Sequence, residues 1–209
     1  MHDGLQSDAE LIRASVADPQ LFRALFERHF DSIFRYFGRR LGRAAADDLT
    51  AEVFLRAFEK RGSYDLSYER ARPWLFGIAA NLLRRSRRKE ERRLRALAKQ
   101  PTEVPGAGDE GAAGDARLDY EATRPVLARA LRSLRADERE VLLLVAWADL
   151  SYEEVGRALA IPMGTVRSRL HRARGHMRTV LERECPNDPK DPTPETVVVK
   201  EGVRWMISN

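Results

Sequence analysis

Between residues 8 and 41 the apolar positions Leu11, Ile12, Leu21, Phe22, Leu25, Phe26, Phe30, Ile33, Phe34, Phe37 and Leu41 recur at three- and four-residue spacing, broken once at Asp18-Pro19. That period places side chains on one face of a helix. It predicts a short helix followed by a long one, with the phenylalanine stripe as core. Residues 46–60 continue the pattern, with Leu49, Val53, Ala57 and one of Phe54 or Phe58 inward. Asp47, Asp48 and Glu52 fall at the start and outer side of this segment, where acidic groups favour the positive end of a helix dipole. Residues 61–72 hold Gly62, Ser63, Tyr64, Asp65 and Tyr68 without a sustained period, so a loop is expected. Pro73 then suits the first turn of a helix, whose N–H groups have no intrahelical partner, and Trp74, Leu75, Ile78, Leu82 and Leu83 form its buried side.

The second half is patterned in the same way. Residues 120–134 predict an amphipathic helix through Val126, Leu127, Ala130, Leu131 and Leu134, and Asp137 with Glu140 is spaced as a capping box before Val141, Leu142, Leu144 and Val145. Ser151 and Glu154 repeat that spacing, with Leu150 and Val155 at the positions of a hydrophobic staple and Ala158 and Leu159 continuing the apolar face. Ile161-Pro162-Met163-Gly164 is turn chemistry. After it, Val166, Leu170, Ala173 and Met177 repeat at helical spacing, while Arg167, Ser168, His171, Arg172 and Arg174 lie outside the stripe. Two short helices, a tight turn and a basic outer face describe a helix-turn-helix whose second helix suits a DNA major groove.

Composition adds segregation of charge. The 209 residues carry 37 Lys and Arg against 32 Asp and Glu, a net charge of only +5. The bases, however, concentrate at 84–95 and 167–178, and Asn81–Arg95 holds eight basic and two acidic residues on a helix continuous with a core-packed one. Such density points to phosphate binding rather than to an ordinary solvated face. Residues 101–119 have four glycines, two prolines and five acids against one arginine, which excludes a core and predicts a flexible linker. Its root-mean-square reach is about 25 Å, and roughly 65 Å when stretched. The expected fold class is therefore all-α: two small helical domains joined by a flexible acidic linker, the C-terminal one containing the helix-turn-helix.

Cys185 is a lone thiol, and four scattered histidines with it do not reach zinc-ligand spacing, so neither a metal nor a cofactor is expected. MHDGLQSDAELI lacks a basic segment followed by an apolar run, and no 18 consecutive residues are apolar, which predicts a cytoplasmic protein with no membrane insertion. The tail beyond PNDPKDPTP contains one possible strand, Thr196–Val199, and a Val203, Trp205, Met206, Ile207 patch; it is either disordered or docked.

Taken together, ADDLTAEVFLRAF, PWLFGIAANLLRRSRRK and DLSYEEVGRALAIPMGTVRSRLHRAR, in this order around an acidic linker, resemble the extracytoplasmic-function (ECF) sigma factors of the sigma-70 superfamily. The resemblance covers roughly residues 8–183. It implies a sigma region 2 over 8–98, a linker over 99–119, a sigma region 4 over 120–184 and a tail of 185–209 outside the family core. It implies that the chain directs core RNA polymerase to promoter DNA and aids promoter melting, without catalytic activity. Carried onto matching positions, Asp47, Asp48 and Glu52 face polymerase; Asn81, Arg84, Arg85 and Arg88 lie against the minus-10 element; Arg167, Ser168, Arg169, His171, Arg172 and Arg174 sit on or near the minus-35 duplex. Arg85 is a departure, since the family commonly carries aspartate there. An anti-sigma factor is a further implied partner.

The residues support this chemistry without the name. Arginine forms a bidentate pair with guanine, worth about 1–3 kcal/mol of discrimination, while other arginines grip phosphates and set register. Tyr64 and Tyr68 are candidates to receive an unstacked base, or are loop aromatics packed on the helix below. A stand-alone regulator would share the helix-turn-helix but needs neither the acidic helix nor the second basic surface. An enzyme is disfavoured, because His29 beside Asp31, or His171 with His176, comes with no nucleophile or metal cluster.

Overall fold

A computed structural model describes residues 7–97 and 129–184, with backbone alone over 87–97 and at 181, 182 and 184. Within these residues every regular element is helical, and the chain divides into two compact units. The predicted linker, most of the predicted 120–134 helix, Cys185 and the tail with its possible strand lie outside the described residues.

The first unit contains α1 (Asp8–Ala17), α2 (Phe22–Leu41), α3 (Arg43–Lys60) and α4 (Arg72–Leu97). Ser7 caps α1 in a full capping box, its Oγ accepting from the Glu10 N–H (3.2 Å) while its own N–H donates to Glu10 Oε2 (3.0 Å). Asp18 and Pro19 break the pattern where predicted: the Asp18 carboxylate accepts from the Gln20 N–H (3.1 Å) and Pro19 opens a single 3-10 turn. α2 ends at Gly42, whose φ of 83° lies in the left-handed region open to glycine. Helix α3 then packs against both α2 and α4, burying Ala46, Thr50, Val53, Phe54 and Ala57 against Leu25, Ile33, Phe37, Leu75 and Phe76 and their neighbours.

Two expectations need correction here. The phenylalanine stripe is core only at Phe22 and Phe37; Phe26 is 36% exposed and Phe30 and Phe34 are half-buried. These three form a ladder along one flank of α2, with centroids 5.0 and 5.7 Å apart and Phe26 4.8 Å from Phe54. The cause is geometric: the neighbouring helices, with α1 reaching His29 through Asp8, bury the Leu25, His29, Ile33, Tyr36 line, and the phenylalanine stripe lies at its edge, where α3 reaches it through Phe54. Second, α3 starts at Arg43, so Asp47 and Asp48 are its fifth and sixth residues. They stand beyond the first turn, where the dipole has largely faded.

The second half of the chain contains α5 (Ala136–Ala148), α6 (Tyr152–Leu159) and α7 (Met163–Glu184), preceded by a helical turn at 129–133. The predicted Asp137/Glu140 capping box is absent. Arg135, in extended conformation, is the N-cap and makes no side-chain cap, so Asp137 is already inside the helix. Arg139 instead holds this corner by donating to the Arg132 and Leu134 carbonyls (3.0 and 2.8 Å). Val141, Leu142, Leu144, Val166, Leu170, Ala173 and Met177 bury the contact between α5 and α7.

Candidate nucleic-acid interface

The helix-turn-helix is assembled from local signals. Asp149 closes α5 in the left-handed region (φ 49°), and the Leu150 N–H returns to the Leu144 carbonyl (3.2 Å). Ser151 and Glu154 then form the predicted box, Ser151 N–H to Glu154 Oε2 at 2.8 Å and Glu154 N–H to Ser151 Oγ at 3.2 Å, with Leu150 and Val155 buried. After α6 the left-handed residue is Ala160 (φ 53°), and Met163 and Gly164 are the first residues of α7 rather than part of the turn, a correction of the predicted boundary. Two contacts make the turn tight. The Ile161 N–H bonds the Gly156 carbonyl (3.0 Å), and a Cβ on Gly156 would lie 3.0 Å from the Ile161 carbonyl oxygen. The Pro162 carbonyl accepts from Thr165 and Val166 (2.9 and 3.2 Å), starting α7.

The four predicted stripe residues of α7 are all buried, which turns the opposite face outward. Arg167, Ser168, His171 and Arg172 are exposed on it and Arg169 and Arg174 are half-buried. The structure sorts them by what they touch. Arg169 Nε pairs with Asp137 (3.2 Å), and Arg172 Nε with Glu138 (2.8 Å), so these two arginines reach back to the start of α5. Ser168 donates to the Thr165 carbonyl of its own helix (3.1 Å). Arg174 lies beside the Tyr152 hydroxyl (3.4 Å), and Tyr152, Arg167, Leu170, His171, Arg174 and Arg178 line a shallow hollow of about 220 Å³. His176 instead meets Ser133 (3.0 Å) and does not line that hollow, so the structure does not bring the His171 and His176 pair together there.

In the first unit Asp47 and Asp48 are exposed on α3, and Glu52 is held by Arg56 Nε at 2.6 Å. Leu55 stands 54% exposed on the same helix, an apolar position on the acidic side that the periodicity passed over because its flanks Val53, Phe54 and Ala57 are core. Asn81, Arg84 and Arg85 are exposed on α4; Arg88 belongs to the stretch described by backbone alone.

The loop leading to α4 is preorganised. Tyr64 packs tilted against Trp74 (centroids 4.9 Å apart) and donates its hydroxyl to the Tyr68 carbonyl (2.7 Å); burial first, then the nearby Asp8 carboxylate, push that phenol up to about 12. The Asp65 carboxylate accepts from the Ser67 side chain and from the Ser67 N–H (3.0 Å), and these bonds, the side-chain one first, lower its pKa. Tyr68 is 42% exposed. Beneath them Asp8 is a buried junction: it accepts from the Ala71 N–H (2.8 Å) and Arg28 (2.7 Å) and meets His29 Nε2 at 2.9 Å. His29 therefore partners Asp8, not Asp31. Burial alone would raise the Asp8 carboxyl; the His29 hydrogen bond and charge, with the Ala71 and Arg28 bonds, outweigh it and hold the group at about 2. Sequence reading missed Asp8, whose partners lie 20, 21 and 63 residues away. Among the described residues no cluster of His, Cys, Asp and Glu suits a metal ion, and no helix is long and apolar enough to cross a membrane.

Two helical units, one with a basic helix beside a preformed loop and the other a helix-turn-helix with an arginine face, are the features of a helical DNA-binding class. Comparison with known proteins makes the family specific. Residues 25–93 match the family model for Sigma-70 region 2, and residues 125–177 match that for Sigma-70, region 4. The chain is 31% identical over 179 residues to the ECF RNA polymerase sigma factor SigL of Mycobacterium tuberculosis, covering 83% of this chain and 96% of SigL. It is 35% identical over 161 residues to SigE of Mycolicibacterium smegmatis, covering 75% of this chain and 60% of that longer relative. In fold it resembles the sigma factor RpoE of Bartonella quintana, solved with the anti-sigma factor NepR, at a TM-score of 0.58 and 22% identity over 79% of this chain and 98% of that one. The chain belongs to the ECF RNA polymerase sigma factors.

Proposed function

We propose that this chain directs core RNA polymerase to specific promoters, holding DNA at two points and aiding its opening, while catalysis stays with the polymerase. The observation that carries this reading is the coexistence of an acidic face on α3 with two separate basic surfaces, on α4 and on α7. In this account Asp47, Asp48 and Glu52, with Leu55 beside them, dock on polymerase. Asn81, Arg84, Arg85 and Arg88 line minus-10 DNA. Tyr68, the exposed loop aromatic, receives an unstacked base, and Tyr64 holds the loop that presents it. Arg167, Ser168, Arg169, His171, Arg172 and Arg174 form the minus-35 surface, with Arg167 and Arg174 at the hollow suited to phosphate. The domain boundaries are those of regions 2 and 4, with the intervening segment as linker. The setting is cytoplasmic. An anti-sigma factor is the proposed regulator, by analogy with the RpoE pair.

The test is binding of a labelled promoter duplex with and without core polymerase. The chain alone binds weakly, and polymerase raises sequence-specific affinity by at least an order of magnitude through two-point attachment. Reversing the charges of Asp48 and Glu52 together abolishes the gain and leaves the weak binding intact. A gain that survived the reversal would contradict the docking face.

A further inference from the structure

Arg172 and Glu138 form a pair unlike the others on the arginine face. Glu138 is 6% exposed, in the first turn of α5, and its carboxylate meets Arg172 Nε at 2.8 Å across 34 residues of sequence. Arg172 keeps 56% of its side chain exposed, whereas Arg169, tied to Asp137, keeps 24%. The bond to Glu138 takes the ε-nitrogen, so it does not use up the fork of two terminal nitrogens that a guanine edge requires. A long arginine on a helix surface otherwise samples many rotamers, and reading one base then requires ordering all of them. A buried carboxylate on a second helix supplies that order before DNA arrives.

The geometry points to Glu138 as a specificity-determining positioning residue, one that holds Arg172 in the conformation that reads a guanine of the upstream element. This inference rests on the minus-35 assignment of α7. It gives Glu138, which touches no DNA itself, a role in base preference rather than in general affinity. It also separates Arg172 from Arg167 and Arg174, whose surroundings suit phosphate.

The experiment reconstitutes the full chain with core polymerase, selects bound molecules from duplex DNA carrying a randomised upstream block, and sequences them. Wild type is compared with Arg172→Ala, Glu138→Leu, Glu138→Gln and the Arg172→Ala/Glu138→Leu double variant. Arg172→Ala is expected to flatten a guanine preference at one position. Glu138→Leu reduces the preference at that same position by roughly three- to tenfold, with other positions and the salt dependence of binding unchanged. Glu138→Gln, which retains an acceptor oxygen, keeps most of the preference, and the double variant matches Arg172→Ala alone. If Arg172→Ala flattens a position that Glu138→Leu leaves sharp, the positioning role is overturned while the minus-35 reading stands. If Glu138→Leu weakens all positions alike, Glu138 is merely structural and the proposal fails. If Arg172→Ala changes no position, the underlying assignment of Arg172 and the proposal fall together.

Discussion

Asp8 concentrates more of the first unit's electrostatics than any other described carboxylate, joining α1 to α2 through His29 and Arg28 and to the start of α4 through the Ala71 N–H. Its folded pKa, about 2, lies below the ordinary 3.8, so its ionised form is favoured by folding. The contribution is complete above the unfolded pKa and is lost as pH falls from about 4 toward 2, on the order of 2 kcal/mol by linkage. We expect Asp8→Ala to destabilise the protein by about 3 kcal/mol at neutral pH, since it strands buried partners, and to flatten the acid limb of the stability curve; urea unfolding at a series of pH values checks both. An unchanged acid limb would contradict the assignment. Thr50 runs the other way. Its buried hydroxyl has no hydrogen-bond partner, so Thr50→Val is expected to be neutral or to stabilise by up to about 1 kcal/mol, and a loss would mean an interaction has been overlooked.

Elements show which signals a linear sequence carries. The helix-turn-helix was legible because its determinants are local: the Ser151/Glu154 box and the four-residue stripe act within one or two turns, and Ser151→Ala is expected to cost about 1 kcal/mol. The same spacing misled at Asp137/Glu140. A capping box needs its first residue in extended conformation just before the helix, and Arg135 occupies that place, while Asp137 serves Arg169 from another helix. The turn lies earlier than Gly164 suggests, because its left-handed residue is Ala160 and its close backbone approach falls at Gly156. Gly156→Ala accordingly forfeits its gain in helix propensity, about 1 kcal/mol, and is expected to destabilise on balance, because the added methyl meets turn backbone rather than a flexible side chain. Thermal unfolding showing net stabilisation would mean the turn yields easily. Helix widths were the weakest inference: the period identified the Phe26, Phe30, Phe34 flank but not how far α3 and α4 would cover it. Among candidate site residues, exposure of Asp47, Asp48, Arg84, Arg167 and Arg172 followed from their place off the stripe. The partners of Arg169, Arg172 and Tyr64 did not, since they reach side chains or carbonyls that periodicity does not address, whereas Glu52 and Arg56 are ordinary i,i+4 neighbours on one helix.

At the scale of the whole molecule, the proposed assignment gives polymerase docking to the acidic face on α3, opening to the basic face on α4 and upstream grip to that on α7. If α7 grips phosphates as proposed, binding releases counterions, so Arg167→Ala should lower the slope of log affinity against log salt by about 1 without altering base preference. The central claim is that this chain confers promoter choice on a polymerase that otherwise lacks it. Reconstituted run-off transcription tests it most directly: core polymerase alone and the chain alone should give no specific transcript, and the two together should give one discrete product from a cognate promoter. A specific product from core polymerase without the chain, or none from the combination on any promoter drawn from the selected pool, would contradict the account.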